Sequence, residues 1–99
     1  MPGLTMILFR DGGTDGADAL AAILAEIAHS GADPHSVKEV DVHDHPTIAA
    51  RYNVGTTPTI LLVKDGQIVD RVIGTPTRIL LHNLIDTRGA HTGATTQVA

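Results

Sequence analysis

The stretch Thr57-Pro-Thr-Ile-Leu-Leu-Val-Lys-Asp-Gly-Gln-Ile-Val-Asp-Arg-Val-Ile-Gly74 decides the fold of this chain. Its segment Thr59–Lys64 is apolar and contains several β-branched side chains, which is typical of a buried strand. Asp65-Gly66 is a strong signal for a tight hairpin turn, and Gln67–Ile73 then returns as the partner strand. The stretch therefore predicts an antiparallel hairpin that ends at Gly74.

A helix is predicted after the hairpin. Thr75 is a suitable N-cap, and Pro76 suits the first position of a helix. The segment Ile79–Asp86 supplies apolar side chains for the core at Leu80, Leu81, Leu84 and Ile85. From residue 87 onward the sequence has no periodicity, so we predict a domain over 1–86 and a disordered tail over 87–99.

The sequence before the hairpin predicts a strand and a helix. Leu4–Arg10 is a nearly continuous apolar run, as in strands that are buried on both faces. The helix after it begins with Thr14 or Asp15 as its N-cap. One apolar stripe at helical spacing is formed by Leu20, Ile23, Leu24 and Ile27.

A second strand over Val37–Val42 and a short helix over Thr47–Tyr52 complete the pattern. A strand, a helix and a strand in succession require a right-handed crossover and a parallel pair, whereas the hairpin adds an antiparallel pair. The prediction is an α/β fold in which helices flank a four-stranded mixed sheet, in the order β-α-β-α-β-β-α.

Composition excludes several classes of function. The chain has 99 residues, a formal net charge of −4 and scattered basic residues, which disfavours nucleic-acid binding. Its longest apolar run, Ile60–Val63, is too short to span a bilayer, and no signal-type segment is present, so the cytoplasm is the expected compartment. The absence of cysteine excludes disulfides, thiolate zinc sites and thiol nucleophiles.

Four blocks of sequence together resemble the thioredoxin family. Val40–Val54 resembles its second strand and short helix, and Thr57–Gly66 resembles its proline loop and hairpin. Val72–Gly74 matches the glycine before the last helix, and Ile23–Ala28 resembles the helix after the active site. The resemblance implies a thioredoxin-like fold that lacks the family's first strand and helix, with a cis-proline at Pro58.

The departures from the family concern its chemistry. By spacing, the family's Trp-Cys-Gly-Pro-Cys segment falls in order on Gly13, Thr14, Asp15, Gly16 and Ala17. Thr14 and Ala17 therefore replace both cysteines, Leu8 replaces the buried acid, and Glu39 replaces the nearby lysine. Thiol–disulfide exchange needs a thiolate that attacks sulfur. The resemblance implies a redox-inactive member without catalytic residues or a cofactor, and thus a non-enzyme.

The predicted function is that of a binding or adaptor module for a protein or peptide partner. The resemblance implies that the backbone of Thr57 pairs with an extended polypeptide. The acidic residues Asp11, Asp15 and Asp18 beside the groove favour a neutral or basic segment. An alternative is that Pro58 only shapes a turn. The predicted groove residues are Gly13, Thr14, Asp15, Gly16, Ala17, Thr57, Pro58 and Gly74.

Two further functions remain open at this point. A small-thiol-binding enzyme, similar to glutathione transferases, would use the hydroxyl of Thr14 to position its substrate. A structural subunit would instead self-associate. Without the family's first strand, Val37–Val42 is expected to be an open sheet edge, which predicts either a homodimer or pairing with a partner strand.

No metal site is predicted. The segment Asp11–Gly16 partly matches the start of a calcium loop, but its third position has no carboxylate and its twelfth is Ala22. His43 and His45 would share one side of a strand, but Pro46 ends the strand there. Helix capping and solvent-facing histidines explain these residues better than metal ligation.

Overall fold

The computed structural model describes residues 3–12, 16–29 and 35–89. Its strands and helices follow the predicted order, and the hairpin strands have the predicted bounds. The second strand and the short helix each begin one residue earlier than predicted. The elements are β1 (Thr5–Arg10), α1 (Ala17–Ala28), β2 (Ser36–Asp41), α2 (Pro46–Arg51), β3 (Thr59–Lys64), β4 (Gln67–Ile73) and α3 (Arg78–Gly89).

The four strands form one mixed sheet in the order β2-β1-β3-β4. β1 runs parallel to β2, with Thr5 opposite Ser36, and antiparallel to β3, with Thr5 opposite Val63. β3 and β4 are antiparallel, with a register shift between Leu62 and Val63. The predicted α/β fold with a four-stranded mixed sheet is confirmed, and β2 lies at its edge as expected.

The larger core lies between the sheet and the helices α1 and α3. Even-numbered residues of β1 and β3 point to this side because side chains alternate along a strand. The stripe of α1 packs on them through Leu20, Leu24 and Ile27. This core contains Leu4, Met6, Leu8, Ala17, Leu20, Leu24, Ile27, Ile60, Leu62, Leu81 and Ile85.

A smaller core occupies the opposite face of the sheet, under α2. Phe9 and Leu61 are fully buried there against Ala49 of the short helix. The rings of Phe9 and Tyr52 are tilted by 57° with centroids 6.0 Å apart, a spacing typical of favourable aromatic pairs. The only two aromatic residues of the chain therefore hold α2 to the sheet.

The starts of two helices differ from the prediction. The N-cap of α1 is Gly16 rather than Thr14 or Asp15, and its φ of 81° is one that glycine adopts readily. The last helix begins at Arg78, so the predicted cap at Thr75 is wrong. The hydroxyl oxygen of Thr77 accepts a hydrogen bond from the backbone N–H of Leu80 at 3.2 Å and caps the helix instead.

The end of α3 also differs from the prediction, because the helix continues beyond residue 86 to Gly89. Arg88 forms an ion pair with Asp70 at 3.1 Å, and Nζ of Lys64 donates to the carbonyl of Gly89 at 3.0 Å. These contacts with the hairpin hold the last turn. Leu80 was predicted in the core but is 53% exposed. Residues 90–99 of the predicted tail lie outside the described residues.

Within the described ranges, no helix is both long enough and apolar enough to cross a membrane.

Candidate functional site

Five of the eight predicted groove residues lie in the described part of the chain. Gly16 and Ala17 stand at the start of α1, Thr57 and Pro58 precede β3, and Gly74 follows β4. Gly13, Thr14 and Asp15 lie outside the described residues. The described residues of the predicted groove therefore belong to three segments: the start of α1, the loop before β3 and the segment after β4.

Two contacts bring these segments together. The backbone N–H of Gly74 donates to the carbonyl of Pro58 at 2.9 Å, which joins the two strand ends of the hairpin. A β-carbon placed on Gly16 would lie 3.4 Å from Cγ2 of Thr75, so α1 begins directly beside the segment after Gly74. The structure thus places residues from all three segments at one end of the sheet.

The loop before β3 has its own geometry. The Thr57–Pro58 peptide bond is cis, and the Pro58 side chain is buried. The hydroxyl of Thr59 donates to the carbonyl of Thr56 at 2.5 Å, which holds the loop against its own strand. The β1–β3 pairing ends at Phe9 and Thr59. In the described ranges, neither the N–H nor the C=O of Thr57 makes a hydrogen bond.

The residues at the positions of the family's buried acid and nearby lysine have other roles in this chain. Leu8 has no exposed surface and is part of the larger core. Glu39 accepts a hydrogen bond from Arg10 at 2.5 Å, and Arg10 also pairs with Asp18. The hydrogen bonds that Arg10 donates, first to Asp18 and then to Glu39, raise the pKa of its guanidinium. Arg10 therefore links β1, β2 and α1 beside the groove.

A second set of contacts ties the loops after β1 and β2 together. Asp41 accepts hydrogen bonds from the backbone N–H of His43 at 2.9 Å and of Gly12 at 3.2 Å. These bonds, that from His43 above all, lower the pKa of the Asp41 carboxyl, because they favour its charged form. Nε2 of His43 lies 2.7 Å from Oδ1 of Asp11. Asp11 and Gly12, which follow β1, are thus anchored by the loop after β2.

The side chains that build this end of the sheet were only partly found from the sequence. Asp11 and Asp18 were predicted beside the groove as acidic residues that select a partner, but they form ion pairs with His43 and Arg10. Arg10 itself was missed, because nothing in a strand sequence shows which carboxylates its last residue will reach. Across the described ranges, no group of three or more His, Asp or Glu side chains is placed to hold a metal ion.

Comparison with known proteins agrees with the geometry. A sequence model of the family described as Thioredoxin matches residues 17–87. The chain belongs to the thioredoxin family. It is 34% identical over 67 residues to Thioredoxin 1 of Synechococcus elongatus, an alignment that covers 68% of this chain and 63% of that protein. Thioredoxin of Staphylococcus aureus is likewise 34% identical over 67 residues, covering 68% of this chain and 64% of its own length.

A solved structure supports the fold over a longer range. A point mutant of thioredoxin from Halobacterium salinarum NRC-1 superimposes with a TM-score of 0.81 at 22% identity. The superposition covers 90% of this chain and 77% of that one. At this level of identity the match concerns the fold alone. The chain spans less than two thirds of the length of the two curated relatives named above.

This member of the thioredoxin family carries no cysteine. Every thiol–disulfide exchange passes through a thiolate that attacks a sulfur atom. The chain therefore supplies no group for this reaction. The groove end of the fold remains, with a loop proline and three converging segments, but its own residues offer backbone groups and side chains other than thiols.

Proposed function

We propose that this chain is a redox-inactive binding module that holds an extended polypeptide along Thr57. The observation that carries the proposal is that the N–H and C=O of Thr57, at the end of the sheet where three segments converge, make no hydrogen bond within the described ranges. An extended polypeptide laid beside Thr57 would satisfy both groups and add a short strand to the end of the sheet. No enzymatic step is part of this function.

An exposed apolar side chain stands next to that backbone. Ile73 is opposite Thr59 in the β3–β4 register and is 62% exposed, although it is large and apolar. Exposed apolar side chains beside unpaired backbone groups favour a ligand that brings both a backbone and an apolar residue. The proposed polypeptide therefore places an apolar side chain against Ile73 while its backbone pairs with Thr57.

The charges beside the groove favour a basic residue elsewhere in the polypeptide. The carboxylates of Asp11, Asp18, Glu39 and Asp41 surround this end of the sheet, and Arg10 is the guanidinium that faces two of them. An excess of negative charge attracts cationic partners and rejects anionic ones, mainly through the association rate. We expect this preference to weaken with salt, because the carboxylates are partly exposed.

The test is selection of ligands from a random-sequence peptide library, followed by titration against two variants. Ile73→Lys places a charge beside the groove, whereas Ile68→Lys places it near the other end of the same strand, at a side chain that is 46% exposed. We expect Ile73→Lys to weaken binding at least about tenfold and Ile68→Lys to leave it within about twofold. Peptides are expected to lose binding when the backbone nitrogen that would donate to the C=O of Thr57 is methylated.

The proposal fails if the library yields no ligand, or if both variants weaken the same ligands equally. Circular dichroism of both variants at the titration temperature distinguishes a variant that has unfolded from one that is folded but has lost the binding site. Backbone amide spectra locate the ligand independently, since the N–H of Thr57 must shift on binding. A bound peptide that leaves Thr57 unshifted and shifts β2 instead would contradict the assignment to the groove.

A second binding surface is favoured by the topology, which leaves β2 at the edge of the sheet. When the β2 strands of two copies pair antiparallel about a two-fold axis perpendicular to the sheet, the same face of each strand lies on the same side. Residues directly opposite each other must therefore project from the same face of their strands. The two registers with the longest overlap then bring Lys38 opposite its own copy, or Glu39 opposite its own copy. Like charges directly opposite are destabilising. We therefore propose that this edge takes a strand of another protein rather than a second copy.

The Lys38→Thr substitution tests this proposal by removing the charge that no contact engages within the described ranges. We expect the wild-type chain to sediment as a monomer and Lys38→Thr to form dimers at high concentration, with Arg51→Thr as the control on α2. A wild-type dimer, or a Lys38→Thr variant that stays monomeric, would show that Lys38 does not protect the edge.

A further inference from the structure

His35 lies where three chain segments meet, at the end of the sheet opposite the groove. The backbone N–H of Leu4 donates a hydrogen bond to Nδ1 of His35 at 2.9 Å. The carbonyl of Leu4 in turn accepts a hydrogen bond from the backbone N–H of Ser36 at 2.9 Å. A β-carbon placed on Gly89 would lie 3.1 Å from Cε1 of the imidazole. His35 therefore joins the start of β1, the start of β2 and the end of α3.

The direction of the hydrogen bond fixes the protonation of the ring. A backbone N–H is a donor only, so Nδ1 must present its lone pair to Leu4. The imidazole is then neutral, with its proton on Nε2. Leu4 is only 1% exposed, so its N–H cannot readily turn to water when the acceptor is lost. A proton added at Nδ1 places two N–H groups against each other and removes the bond.

The other described histidines with side-chain contacts behave in the opposite way. Nδ1 of His29 lies 2.7 Å from the carbonyl of Ala25, which can only accept, so this contact needs a proton on the ring. His43 and His82 face carboxylates, those of Asp11 and Asp86. These three contacts persist or strengthen when the ring is protonated. In the described ranges, His35 is thus the histidine whose side-chain contact is lost on protonation.

Within the described ranges, the charged groups near His35 do not compensate for its protonation. At the end of β3, Nζ of Lys64 donates to the carbonyl of Gly89, so an ammonium already occupies the last turn of α3. On α3 itself, Arg88 is paired with Asp70 and Asp86 with His82. In the described ranges, no carboxylate of β1, β3 or α3 contacts the His35 ring.

We propose that His35 is an acid-sensitive latch that joins the start of β1 to the end of α3 and opens when Nδ1 is protonated. Acidification removes the Leu4 bond and loosens the end of the sheet away from the groove. The groove segments share no contact with His35 in the described ranges, so the latch acts on the far end of the domain.

The experiment is hydrogen exchange at the Leu4 amide, measured as a protection factor at pH 7.5 and pH 5.5. The matched variant is His35→Asn, because the asparagine Oδ1 can occupy the place of Nδ1, accept the same bond and never take a proton. We expect protection of Leu4 in the wild-type chain to fall about two- to tenfold at the lower pH, the effect of one lost hydrogen bond. Protection in His35→Asn is expected to stay within about twofold.

A fall of equal size in both proteins, or no fall in the wild-type chain, would overturn the latch. A long-range proton–nitrogen spectrum of the wild-type imidazole provides a test that does not depend on the folding of a variant. It is expected to show Nδ1 without a proton at pH 7.5 and a protonated Nδ1 once Leu4 protection has fallen. A proton on Nδ1 at pH 7.5 would contradict the proposal directly.

Discussion

The Leu8→Asp substitution is expected to lower the free energy of unfolding at neutral pH by about 4 kcal/mol or more. Leu8 has no exposed surface and lies among apolar side chains of β1, β3 and the two long helices. Aspartate removes apolar volume there and adds a carboxylate without a cation, since the nearby Glu39 is itself acidic and is held by Arg10. The family's acid therefore has no supporting environment in this chain.

Two comparisons separate the charge from the loss of volume. Leu8→Ala removes the side chain alone and is expected to cost about 2–5 kcal/mol. Burial raises the pKa of the new carboxyl in Leu8→Asp, so its extra penalty grows as the pH rises above about 4 and shrinks below it. Urea unfolding at pH 4 and pH 7 measures both. A penalty for Leu8→Asp that does not exceed that of Leu8→Ala at pH 7 would show that the site can solvate a charge.

The Phe9→Ala substitution is expected to lower the free energy of unfolding by about 3–5 kcal/mol. Phe9 is fully buried on the other face of the sheet, against Leu61, Ala49 and the ring of Tyr52. This smaller core holds α2, a helix of six residues that is too short to be stable by itself. The change should therefore release α2 before the rest of the domain.

Hydrogen exchange of the Phe9→Ala variant measures separately how the helices on the two faces of the sheet respond. Amides of α2 are expected to lose most of their protection, while those of α1, which packs on the larger core, retain more of theirs. Phe9→Leu serves as the control, because a large apolar side chain remains, and should cost less than about half as much. Uniform loss of protection across both helices would mean that the two cores unfold as one unit.

The hairpin and the apolar strand before it were predictable because their signals are local. Asp65-Gly66 indicates a turn, and the apolar, β-branched segment before it and the returning segment after it form the two strands, which the structure places at the predicted bounds. Asp65 and Gly66 both have the positive φ that such a turn requires. The apolar stripe of α1 was equally predictable from the sequence, since residues three and four positions apart lie on the same face of a helix.

The helix starts were less predictable because neighbouring residues compete for the same role. Thr75 and Thr77 flank Pro76 and carry the same hydroxyl group, although only Thr75 was predicted to cap the helix. Thr77 does so, and α3 then begins beside Glu26 of α1, which pairs with Arg78. That pair lowers the pKa of Glu26 through the hydrogen bond from Arg78. The first residue of α3 thus contacts a residue 52 positions away in the chain, which no local sequence signal indicates.

The sequence by itself determined the class of fold, the order of its elements and the absence of thiol chemistry. Each follows from hydrophobic period, turn residues or composition. The first two depend only on residues close together in the chain, and composition does not depend on position at all. Only the tertiary structure decided which charges meet at Arg10, that Gly16 lies beside Thr75, and that His35 accepts a hydrogen bond from Leu4. These contacts join residues that are distant in the chain. The preferences of neighbouring residues do not show which distant residue the packing of the domain will bring within hydrogen-bond distance.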